Sequence, residues 1–99
     1  MKIAVNKSPG GFCVSAEVMG KIGLDTSQMG YLTNKDFNIV SSNEYAYRAD
    51  KNLINAIQSS KNPNDDFSDI RIFDLDTDIN FKILNFDGLE KVIKGEVLC

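Results

Sequence analysis

From Ile70 onward the chain changes its hydrophobic period, and that switch limits the available folds more than any other feature. Ile79, Phe81 and Ile83 fall on one side of an alternating run and Asn80 and Lys82 on the other, the pattern of a half-buried strand. The spacing predicts strands over 70–75, 79–86 and 89–93. Asp87-Gly88 separates the last two and marks a hairpin, because a type I′ turn needs positive φ at both central residues.

The first two-thirds of the chain reads differently. Lys2 to Asn6 is short and β-branched, which predicts a strand buried on both faces. Ser15 stands where an N-cap belongs, followed by Val18, Met19 and Ile22 as an apolar stripe and by Gly23 as the closing C′ residue. Asp50 caps a second expected helix over 51–60, whose Leu53, Ile54, Ala56 and Ile57 share a face. Asn62 to Asp66 is a polar turn that ends it. Residues 24–44 are too apolar for a linker and too irregular for an element, so a long ordered loop is expected.

The order β-α-loop-α-β-β-β gives an α+β fold: a two-layer sandwich with a small mixed sheet of about four strands and two helices packed on one face. A right-handed crossover would set the first strand parallel to the second. At 99 residues the chain is one domain with one modest core.

Charge and composition exclude several functions. A net charge of -3 with no clustered Lys or Arg argues against extended nucleic acid. No apolar run approaches a membrane span and no secretory h-region is visible, so a cytoplasmic protein that does not engage membranes is expected. Cys13 and Cys99 are read as reduced thiols rather than a disulfide framework. Histidine is absent, which removes the usual general base, triads and most zinc sites. Asp74, Asp76 and Asp78 alternate, but the glycine and glutamate of a calcium loop are missing. No catalytic residue, metal or cofactor is assigned.

One stretch could hold a ligand: NKSPGGFCVS, residues 6–15. Gly10 and Gly11 let the backbone take positive φ and let a guest approach the amides. Ser15 and the amides after it sit at a helix N-terminus, where an anion such as phosphate is favoured. The loop lacks both the P-loop ending and the GxGxxG fingerprint, and a plain strand-to-helix corner would use the same residues. Phe12 is either a core plug or a platform for a nucleobase. Asn6, at the carboxyl end of the first strand, either faces a ligand or ties the loop to itself. Arg48 suits a phosphate or carboxylate, or else a salt bridge to Asp50 or Asp87.

MKIAVN, GGFCVS, RADKNLINAI and FSDIRIFDLDTDINFKILNFDGLE together resemble a family of small proteins encoded in phages and prophages of Gram-positive bacteria. Its members open with a strand, an Asn-x-x-x-Gly-Gly-Phe loop and a Ser-headed helix, and close on an aromatic-Asp-Gly hairpin. Ser8 and Pro9 stand where a Cys and an aromatic are expected. The resemblance implies an accessory, anti-defence role in the host cytoplasm.

Three functions follow as expectations. In the first, the protein sequesters a small phosphorylated or nucleotide-type host signal at Asn6, Gly10, Gly11, Phe12, Ser15 and Arg48. So small a domain encloses a nucleotide poorly, so a homo-oligomer is expected. In the second, it is a protein-protein inhibitor of a host defence enzyme such as a CRISPR nuclease, with Tyr31, Phe37, Tyr45 and Tyr47 as an exposed contact. The third, a small enzyme acting on nucleotides, lacks a visible nucleophile-base pair.

Overall fold

The computed structural model describes residues 1–9, 11–25, 30–64, 68–75, 81–86 and 89–94. Among these residues four strands and two α-helices run in the order β1 (Lys2–Asn6), α1 (Ala16–Lys21), α2 (Lys51–Ser59), β2 (Ile70–Asp74), β3 (Phe81–Phe86) and β4 (Leu89–Lys94). The Cα radius of gyration, 12.9 Å, matches the ~13 Å of a compact chain of this length.

The strands form two separate antiparallel pairs, β1-β2 and β3-β4, where one mixed sheet is expected from the sequence. β1 is antiparallel to β2, which corrects the parallel pairing. Asn6 lies opposite Ile70, so the excursion carrying both helices leaves and returns at the same end of the pair. A crossover must return to the opposite end to make strands parallel, so the handedness rule does not apply.

Side chains explain why the pairs do not merge. On the outer edge of β1, the Ala4 carbonyl accepts a hydrogen bond from Arg48 Nη1 at 3.2 Å, and the Asn6 N–H donates to Glu90 Oε1 at 2.8 Å. On the edges of the hairpin, the Phe81 carbonyl accepts from Asn43 Nδ2 and the Glu90 carbonyl from Lys7 Nζ. These groups stand where a further strand would bond.

β1 is buried on both faces, as its run of apolar residues predicts. Ala4 packs with Val18 and Met19 of α1, Leu53, Ile54 and Ile57 of α2, and Phe12, Tyr47 and Ile70. Ile3 and Val5 face the other way, onto Leu75, Phe81 and Ile83. The strand therefore separates two apolar clusters, one helical and one formed with the hairpin.

Local signals explain the helix ends. Ser15 Oγ accepts from Val18 N–H, and Asp50 Oδ1 accepts from the amides of Asn52 and Leu53. Gly23, at φ +81°, donates to Gly20, and Leu24 donates to Met19, which together make a Schellman close. The described part of the 24–44 stretch carries a 3-10 turn at Asn34–Phe37, and a second follows it at Ala46–Ala49. Asn34 joins them, its amide group bonding the Asn43 carbonyl and the Tyr47 N–H. Ile79, Asn80, Asp65, Asp66, Asp76, Asp78, the Asp87-Gly88 turn and Cys99 lie outside the described residues.

Candidate functional site

From the sequence, Asn6, Gly10, Gly11, Phe12, Ser15 and Arg48 are expected together at one end of β1; Gly10 lies outside the described residues. Asn6, Phe12 and Arg48 come together in the structure, and they do so in the interior. Asn6 is fully buried, Arg48 is 2% exposed and Phe12 is 6% exposed.

Asn6 folds the loop onto itself. Its Nδ2 donates to the Ser8 carbonyl at 2.6 Å, and its Oδ1 accepts from the Ser8 and Asp69 amides at 3.3 and 2.9 Å. This short polar side chain replaces the ladder bonds that the strand loses as it turns. Other loop amides are also engaged: Lys7 N–H with Asp69, Val14 N–H with Gly30 and Ser15 N–H with Pro63.

Asp87 lies outside the described residues, and Arg48 is held by Glu90 rather than by Asp50. Its two terminal nitrogens meet the two Glu90 oxygens at 2.6 and 2.7 Å, the parallel fork that a guanidinium makes with a carboxylate. The guanidinium carbon lies 3.6 Å from the centroid of the Phe12 ring, with Tyr47 and Tyr45 at 5.1 and 5.3 Å. Phe12 thus acts as a lid on a buried cation. Burial by itself pulls the Arg48 pKa down; the hydrogen bonds and charge of Glu90, aided by Tyr47, outweigh it and leave the pKa raised. Burial likewise raises the Tyr47 hydroxyl, against the pull of Arg48. Among the described residues the Arg48 Nε has no hydrogen-bond partner.

Glu90 is the functional partner that the sequence reading missed. A signal existed: Glu90 pairs with Asn85 on the inward side of the hairpin, the parity that also carries Ile83 and Val92. A carboxylate at such a position calls for a buried cation. Arg48 and Arg71 are the two arginines, and Arg71 is exposed and paired with Asp69.

At the surface the loop offers less. Gly11 has φ +87°, and a Cβ there would lie 3.8 Å from Tyr31 Cε1, so the exposed Tyr31 ring sits beside it. Ser15 is half-exposed and heads a helix of six residues. An open groove of ≈ 840 Å³ between α1 and α2 is lined by Lys21, Asn52, Asn55, Gln58 and Ser59 among others, and by none of the described loop residues. Among the described residues no group of His, Cys, Asp and Glu is placed to hold a metal ion. Among them too, no helix is long and apolar enough to cross a membrane.

The expected aromatic contact is redistributed. Tyr47 is buried, Phe37 stacks on it at 5.9 Å and is half-buried, as is Tyr45, so Tyr31 alone of the four is exposed. Val40 and Phe73 are exposed singly, and a contiguous exposed apolar set lies on the hairpin. Opposite residues of an antiparallel pair share a face, so Phe86 and Leu89 stand side by side and Leu84 follows two residues along. Phe86 is 62% exposed, Leu89 42% and Leu84 39%. No family model, curated protein or solved structure matches the chain.

Proposed function

We propose that this chain is a binding module that docks on a partner protein through the outer face of the β3-β4 hairpin. The observation that carries the reading is the contiguous, exposed set Leu84, Phe86 and Leu89 on one side of a hairpin whose other side is packed. Contiguous apolar patches on small soluble proteins mark interaction sites, and aromatic residues lead the compositional signal of interface centres. The resemblance to phage- and prophage-encoded proteins makes a host defence protein, such as a CRISPR nuclease, the partner class to test first. Immobilised protein should retain a stoichiometric partner from bacterial lysate, and Phe86→Ser should lose it. Equal recovery by the two forms would rule out this face.

A second reading, sequestration of a phosphorylated or nucleotide ligand, is favoured by the exposed Tyr31 ring beside Gly11. A stacked base over Tyr31 and a phosphate near Gly11 would use surface groups alone, with Arg48 positioning the loop from beneath. Thermal unfolding against a nucleotide panel tests it, since a ligand at a hundred times its Kd adds about 2.7 kcal/mol. Tyr31→Ala is the informative variant. Gly11→Glu would strain the backbone at φ +87° whatever it did to a ligand.

A further inference from the structure

The hairpin face carries charge as well as apolar bulk, and the charge is opposite to that of the whole molecule. Lys91 stands directly across from Leu84, and Lys82 lies two residues before Leu84 on the same side of β3. Both lysines are exposed. The carboxylate of this hairpin within the described residues, Glu90, points inward and is spent on Arg48. Among the described side chains the face therefore shows three apolar ones flanked by two cations, on a chain whose net charge is -3.

We infer that the surface this face docks on is an acidic, apolar protein segment: apolar side chains to cover Leu84, Phe86 and Leu89, and carboxylates placed to meet Lys82 and Lys91. The inference rests on the docking reading above. Complementary charge at an interface steers encounter and rejects wrong partners. A second copy of this chain fits less well, because face-to-face packing would bring four lysines into one interface with no carboxylate on that face, among the described residues, to meet them. Nucleic acid fits less well too. One aromatic and two lysines are a small footprint on an acidic protein, and Leu84 and Leu89 would be left facing phosphate.

Selection from a random peptide library displayed on yeast tests the inference, with the wild-type protein as bait and Phe86→Ser as counter-bait. The expected outcome is a pool rich in aromatic or aliphatic residues with an excess of Asp and Glu. Binding of those peptides should fall at least about tenfold in Lys82→Glu/Lys91→Glu, and should weaken as added salt shortens the Debye length from about 10 Å to about 3 Å. A neutral or basic pool, or peptides indifferent to the charge reversal, overturns the acidic partner while leaving the docking face in place. If no peptide distinguishes wild type from Phe86→Ser, the docking reading itself falls. Two controls can also overturn the inference: self-association in sedimentation velocity that Phe86→Ser abolishes, or binding of single-stranded homopolymers that the charge reversal abolishes. Far-UV circular dichroism of each variant confirms the fold, which these exposed positions should not disturb.

Discussion

Arg48 and Glu90 form a pair in which each side chain makes sense only in the presence of the other. Glu90 accepts from both ends of the guanidinium and from the Asn6 amide, and its own burial would be untenable without them. Arg48→Met or Glu90→Leu alone should cost about 3–5 kcal/mol in urea unfolding, because each leaves a buried charge unpaired. The double variant should lose less than the sum of the two, the remaining loss reflecting the Asn6 amide and the Ala4 carbonyl left without these partners. Additive losses would mean that the pair is less buried or less coupled than its geometry implies. The two arginine alternatives read from the sequence, an anion site and a salt bridge to Asp50 or Asp87, differ in what meets the fork; in the structure Glu90 meets it, and Asp87 lies outside the described residues. Sequence spacing did not reveal Glu90 because it lies far along the chain, on a strand whose inward parity becomes decisive only once the hairpin is docked.

At the scale of elements, capping chemistry was the most legible part of the sequence. Ser15, Asp50 and Gly23 act where local preference puts them, since caps depend on a few adjacent residues. Asp50→Ala should cost about 1 kcal/mol, and Gly23→Ala a similar amount because of its left-handed backbone; both are read from thermal unfolding. Strand pairing was less legible. It depends on which edges are covered, and β1 is covered by side chains from distant elements rather than by a strand. Glu17 and Lys21 tie α1 to the end of α2: Glu17 accepts the Lys61 and Asn62 amides and sits 3.5 Å from Lys21, which donates to the Ser59 carbonyl. The Lys61 amide is the largest cause holding the Glu17 pKa below its usual value. Its stabilising contribution is therefore complete above the unfolded-state pKa and lost as pH falls through the folded one. In a carboxyl NMR titration Glu17 should titrate below its value in the unfolded chain, and Lys21→Ala should leave most of that lowering in place.

Over the whole molecule, β1 supports both apolar clusters at once, and this links stabilities that would otherwise be local. Ile3 belongs to the hairpin cluster, yet its neighbour Ala4 belongs to the helical one. Ile3→Ala should cost about 2–5 kcal/mol, and amide exchange should accelerate by the same factor in α2 as in β3 if the two clusters open together. Faster exchange confined to the hairpin would show two separable units. Of the candidate ligand loop, the chemistry of individual residues was legible, but their burial was not. Phe12 as a core plug and Asn6 as a tie of the loop to itself were among the readings that the sequence allowed, and a Cβ-free Gly11 beside Tyr31 became visible only with the 31–47 stretch in place.

The pairing of Asn6 with Ile70 also bears on how the chain is made. β1 is synthesised first, but its partner β2 follows only after both helices and the long ordered stretch have been translated. At about 5–20 residues per second, residues 7–74 take on the order of 3–14 s. During that interval Ile3, Ala4 and Val5 leave the ribosome with an unpaired edge and neither apolar cluster complete. β1 thus needs protection, by chaperones or by transient contacts with the nascent helices, until β2 is made.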